Sequence, residues 1–350
     1  MENQLWIKIQ DKRKKDGLIL FFFLCVLMAV GLLAVNLGRA EISIFDTLKI
    51  IGGRVDPSLL EGIPDSWSSI VWNIRLPRIL TGILVGCGLA VSGAVFQALL
   101  MNPLADSYTM GVSSGAAFGA SVAIFINLFS MNLHLPVTLF AFIGALATLG
   151  LVLRIARVDG TLSPSNMIIA GIIVSSIFSA GISFLKSLSG EGVSAIIYWL
   201  MGSLSARSWM HVGLCFIVIG ICMAICLYYA DDLNLMCLGD QEARNLGVDT
   251  QRVRRILLIS GSLMTAVCVS VSGIIGFIGL IVPHMLRFLV GSDNRILLPL
   301  SGLLGGLLLL LADTVTRVLL NIEIPVGVFT TLFGGPFFIA IFLKKNKALF

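Results

Sequence analysis

Residues 238–255, LGDQEARNLGVDTQRVRR, hold three acidic and four basic side chains in a 350-residue chain where only 12% of positions are charged. Asp240 suits a helix start, Gln241 to Leu246 continue it, and Gly247 supplies a left-handed stop. The segment therefore predicts a short capped helix, with Ala243 and Leu246 on one face and Leu238 near its entry. Such a helix fits a groove on another protein, although an ordinary solvated loop has the same composition.

Other polar residues stand at spacings that allow pairing. Arg75 and Arg78 bracket Leu76-Pro77, and a guanidinium fork can grip a carboxylate with two hydrogen bonds or snorkel at a membrane interface. Asp313 and Arg317 lie four residues apart in LLADTVTRVLL, a spacing that predicts an ion pair, and Arg317 at a helix end could also face outward. His284, beside Pro283 and three residues before Arg287, is read as a structural histidine. Cys215, Cys222 and Cys226 share a helical face, but no His or carboxylate stands at matching spacing, so they read as small apolar side chains and no metal site is expected. No cluster of His, Cys and acidic residues has catalytic spacing, which argues against a membrane enzyme. No glycine is followed by lysine, so the chain lacks the phosphate-cradling loop of an ATPase; any ATP-driven work needs another subunit.

The elements that hold these residues are apolar. Hydrophobic residues make up 57% of the chain and mean hydropathy is +1.00. About 20 apolar residues cross the roughly 30 Å hydrocarbon core, and every backbone polar group there must be satisfied within its own segment, so the class is an all-α membrane protein. Apolar runs predict ten spans, near 18–36, 78–100, 108–129, 136–156, 166–188, 209–230, 254–274, 277–290, 296–320 and 327–343. Only Gly273 and Gly276 punctuate the boundary between the seventh and eighth. The first is read as a retained span rather than a cleaved signal peptide. The division is a cytoplasmic segment 1–17, a transmembrane domain 18–343 containing the polar loop 231–253, and a cytoplasmic tail 344–350. Placing both termini in the cytoplasm puts 16 of 24 Lys and Arg residues inside, island included. Residues 37–74 and 189–208 then lie outside, the latter as a short interfacial helix.

Gly111, Gly115 and Gly119, like Gly82, Gly86, Ala90 and Ala94, recur every fourth residue, which lets helix backbones approach closely in lipid. Pro103 and Pro283 break apolar runs and stand equally far after Ser92-Gly93 and Ser272-Gly273, a weak internal repeat of the kind transporters carry.

Four blocks, RLPRILTGILVGCGLAVSGAVFQALLMNPLADSYTMGVSSGAAFGA (75–120), LGDQEARNLGV (238–248), GFIGLIVPHMLRFLVGSDNRILLP (276–299) and LADTVTRVLLNIEIPVGVFTTLFGGPFFIAIFL (311–343), occur in an order that closely resembles one family. It is the iron-siderophore, haem and cobalamin uptake permeases of bacterial ATP-binding-cassette (ABC) importers, and the resemblance runs from about residue 18 to the C-terminus. It implies a cobalamin-permease-like bundle of ten helices per subunit, working in the bacterial cytoplasmic membrane as a dimer with a second copy or a close paralogue. Two cytoplasmic ATPase subunits, which carry the ATP and Mg, and an extracytoplasmic substrate-binding protein are the implied partners; no cofactor in this chain and no nucleic acid are expected.

The resemblance also implies roles. Leu238, Gly239, Asp240, Glu242, Ala243, Leu246 and Gly247 match the coupling helix seated on the ATPase, while Arg75, Arg78 and Arg317 match arginines that meet glutamates of the binding protein. Ser163, Pro164 and Ser165 fall in the inner gate region, where Pro164 departs from a Ser/Thr-rich pattern; residues 189–205 match a short outer helix beside the pathway, which runs between two copies of the fifth span. The expected function is ATP-driven import of a metal chelate, ferric siderophore foremost, with haem or cobalamin as alternatives. An ion-coupled secondary transporter would need a buried carboxylate near mid-membrane, for which Asp313 is the candidate.

Overall fold

The computed structural model describes residues 2–38, 40, 42–130, 133–158, 160–318 and 324–347, so Met1 and the last three residues of the expected 344–350 tail lie outside it. In chain order the helices are α1 (Glu2–Asn36), α2 (Ile44–Gly52), α3 (Asp65–Ser69), α4 (Leu76–Leu99), α5 (Val112–Phe129), α6 (Val137–Ile155), α7 (Pro164–Leu188), α8 (Val193–Leu200), α9 (Trp209–Tyr228), α10 (Ala230–Met236), α11 (Asp240–Asn245), α12 (Thr250–Ser272), α13 (Ile278–Val290), α14 (Asn294–Val318) and α15 (Val326–Lys347). A hairpin of two short strands, β1 (Arg157–Val158) and β2 (Thr161–Leu162), precedes α7.

Among the described residues, eight helices are long and apolar enough to cross a membrane, and two shorter apolar helices follow, α13 and the apolar part of α15. Together they are the ten expected segments. Helix α1 is continuous across the expected 17/18 boundary.

Helices α4, α12 and α14 form the centre: 78% of the most apolar window of α4 and of α12 is buried, against 22% for α7 and α9, whose outer faces are left to lipid or to a partner. Small residues set these contacts. A Cβ on Gly86 would collide with the backbone of Gly305 and Gly306 in α14, and one on Gly93 with the Gly279 carbonyl in α13. Gly115 and Gly119 of α5 pack in the same way on Gly144 of α6, as their spacing predicts.

Two chain breaks differ from their expected form. The seventh and eighth spans are separate because α12 stops at Ser272, and the chain reverses through Gly273 and Phe277, both at φ +69°. Pro283 is not a break: it lies inside α13. Pro103 does sit in the irregular segment between α4 and α5, so the proposed internal repeat holds at only one of its two prolines. With 13 residues, α13 reaches only about 20 Å, less than the hydrocarbon thickness. The segment 189–208, expected on the outside, folds as a 3-10 turn and α8, with Ile196 buried and Tyr198 exposed.

Candidate functional site: two polar ends of one bundle

At one end, α10 and α11 turn the chain into α12. Gly239 at φ +128°, ψ +149° makes the entry, a conformation that favours glycine, and Gly247 at φ +92° ends the turn, as its type predicts. Two details correct the expectation. The residue before the helix is Gly239, and Asp240 is inside the first turn with its carboxylate on Arg254. Ala243 does not share an outward face with Leu246: it is wholly buried, while Leu238 and Leu246 are 67% and 62% exposed. The exposed apolar knob is therefore made by the two leucines flanking α11, and Ala243 is its buried anchor.

The knob stands on a braced base. Arg254, 1% exposed, donates from Nη1 to the Leu162 carbonyl (3.1 Å) and pairs through Nη2 with Asp240. Gln251 Oε1 accepts from the Leu162 N–H (3.1 Å), so α12 holds both backbone groups of one β2 residue. Arg244 donates to Thr250 Oγ1 (3.1 Å), and Asp249 caps α12 by accepting from Arg252 N–H (3.1 Å). Directly after Leu162, Ser163 caps α7 through the Asn166 N–H (3.3 Å). Pro164 takes the first helical position, where its missing N–H costs nothing; it starts the helix rather than interrupting it, and Ser165 follows in the first turn. The expected coupling and inner gate residues are thus brought to one end and joined.

Arg254 was visible in the sequence only as one more basic residue of the island. The available signal was its register: with Leu257, Leu258 and Gly261 it lies on the core face of α12, where a charge demands a partner. Nearby, Asn234 binds Asp293 (2.9 Å) and accepts from the Asn294 N–H (2.8 Å), fixing α10 to the start of α14. The carboxyl of Asp293 is held down at about 2, chiefly by the hydrogen bond from Arg295. Desolvation raises the pKa of the Cys237 thiol between α10 and α11 above its ordinary value.

The opposite end gathers the three arginines and gives each a partner in its own chain. A π-helical turn, Ile70–Arg75, ends on Arg75, which is 4% exposed and donates to Val35 O (2.6 Å), Asn36 O (3.2 Å) and Ala40 O (2.6 Å), closing the carbonyl end of α1. Arg317 donates to Ala34 O (2.7 Å) on that same helix. Asp313 is not paired with Arg317 as its spacing suggests; its carboxylate takes the Arg78 guanidinium instead, at 2.9 Å. His284 rests between the rings of Phe288 and Phe338, and Cys215, Cys222 and Cys226 are packed in the core.

The fold and its two polar ends define a multi-pass helical membrane protein. Residues 26–344 match the FecCD transport family, and the chain belongs to it. It is 39% identical over 351 residues to the uncharacterized ABC transporter permease protein YvrB of Bacillus subtilis (strain 168), covering 97% of both chains. It is also 43% identical over 286 residues to the cobalamin import system permease protein BtuC of Halobacterium salinarum, covering 82% of this chain and 76% of that one. A solved structure described as an inward-facing conformation of an ABC transporter assigned to the metal-chelate type superposes with a TM-score of 0.81 at 34% identity, covering 94% of this chain and 99% of that one. The chain is accordingly a permease of an ABC importer, a transport subunit rather than an enzyme, and a permease of this family implies ATPase and substrate-binding partners.

Proposed function

We propose that this chain is half of the membrane channel of an ATP-driven importer that carries a ferric siderophore from a substrate-binding protein into the cytoplasm by alternating access. The metal-chelate type of its structural neighbour, with relatives named for Fe(3+)-citrate and hemin import, supports a metal chelate as cargo; haem and cobalamin, itself a cobalt chelate, are the alternatives within that class. Two copies face each other across α7, and each α11 seats on one ATPase subunit, which holds the ATP and Mg. Both termini lie on the cytoplasmic side, the side to which the basic residues of the island belong under the positive-inside rule.

The observation that carries the reading is the exposed Leu238–Leu246 knob on a buried, ion-paired base. An apolar pair on a rigid base is a plug for a groove, and a rigid base passes on a push that a flexible loop would absorb. Glu242 and Gly247 shape the knob, and Ser163, Pro164 and Ser165, at the foot of α7, form the gate that the push opens.

At the other end, Arg75, Arg78 and Arg317 receive glutamates of the binding protein. Because the chain already engages all three, an incoming carboxylate shares each guanidinium with its present acceptors, the end of α1 for Arg75 and Arg317 and Asp313 for Arg78. Ion-coupled transport is disfavoured because the Asp313 carboxylate is committed to Arg78.

The reading is tested by reconstituting the permease with its ATPase subunits and binding protein and measuring uptake of an iron-55-labelled hydroxamate siderophore. ATP-dependent uptake that requires the binding protein is expected, and Arg78→Glu should abolish that uptake. Uptake by the purified permease without an ATPase subunit would overturn the proposal.

A further inference from the structure

We infer that Arg254 is the positioning residue that carries motion of α11 to the foot of α7; this rests on the ATPase-coupling reading of α11 and adds the route by which its movement reaches the gate. One guanidinium joins three separate elements. It is rooted in α12, pairs with Asp240 in the first turn of α11, and donates to the carbonyl of Leu162 in β2. Leu162 is two residues from Pro164, where α7 begins, so little slack separates the grip from the helix. Gln251 completes the clamp by accepting the Leu162 N–H from the same turn of α12.

The energetics explain why this link transmits rather than yields. A guanidinium with 1% exposure cannot regain water if either contact is lost, so a displacement of Asp240 draws Arg254, and with it Leu162, instead of breaking the pair. The planar fork reaches both acceptors at once, which a lysine ammonium on a flexible stem does not reproduce. Within its own chain α7 is lightly held: 22% of its most apolar window is buried, and Ile169, Ile172 and Ile173 are exposed near its foot.

The test uses the assembled transporter, with the exposed Cys25 and Cys237 replaced by serine and spin labels at Gln241→Cys in α11 or Ser165→Cys in α7. Distances between equivalent labels on the two permease copies are measured with and without trapped nucleotide. In the parent protein both pairs should shift. In Arg254→Met and Arg254→Lys, the 241 pair should still shift, the 165 pair should lose its shift, and ATP hydrolysis should continue. A merely structural role would lower thermal stability without separating the two labels. Asp240→Asn, at a side chain one-third exposed, gives a variant that keeps its fold if the arginine substitutions do not, with the same expected loss at 165. A 165 shift that persists in Arg254→Met, or in Asp240→Asn, overturns the link. Absence of movement at 241 in the parent overturns instead the ATPase-coupling reading on which it stands.

Discussion

Arg78 and Asp313, 235 residues apart in sequence, meet through three hydrogen bonds: Nε lies 3.2 and 3.0 Å from the two carboxylate oxygens and Nη2 lies 2.9 Å from one of them. The pair ties the start of α4 to the last turns of α14, with side chains only 11% and 2% exposed. A buried pair is costly to form and far more costly to halve, since the surviving charge has no water to return to.

Removing one partner should therefore cost about 3–5 kcal/mol, whereas the double variant Arg78→Leu with Asp313→Leu should be clearly more stable than the sum of the two singles. Thermal unfolding of the four proteins in one detergent measures the coupling. Additive losses would show that the pair contributes nothing.

Leu246→Asp and Leu238→Asp place a charge on the knob while leaving the buried Ala243 and the Asp240–Arg254 pair untouched. Melting temperature should change little, because surface substitutions usually alter stability by less than about 0.5 kcal/mol. Co-purification with the ATPase subunits should fall sharply. Undiminished capture of the ATPase would remove the knob from the interface.

Two glycines separate backbone strain from packing. Gly247 has open space where a Cβ would stand but sits at φ +92°, so Gly247→Ala should cost only about 1 kcal/mol. Gly93 is helical but its Cβ would strike the Gly279 carbonyl, so Gly93→Ala must push α4 from α13 and should destabilise more. Melting temperatures of the two variants, compared directly, check the order.

Asp293 gives a pH dependence. Its folded-state pKa of about 2 lies below the ordinary 3.8, so its stabilising contribution is complete above about pH 4 and is lost as pH falls toward 2. Asp293→Asn should therefore lower the melting temperature near neutral pH, and the gap between variant and parent should close as pH drops through that window. A gap of constant size from neutral pH to about pH 2.5 would mean that the ionised Asp293 carboxylate does not stabilise the fold.

The sequence by itself determined the class, the ten apolar segments and the place of the polar island, because each follows from local composition: a bilayer sets segment length, and a charged loop cannot lie inside one. Gly247 was legible for the same reason, since a left-handed turn is a property of one residue. Only the tertiary structure decided the pairings. Spacing suggested Asp313 with Arg317, yet the helix bundle delivered Arg78 from another helix, and no local pattern records which distant cation arrives. Likewise the spacing of Ala243 and Leu246 predicts a shared face, but a helix of six residues has no face of its own until packing on α12 fixes which side is buried. Arg254 belongs to this second kind: its charge was plain in the sequence, while its two acceptors, 14 and 92 residues away, exist only once α11, α12 and β2 are folded together.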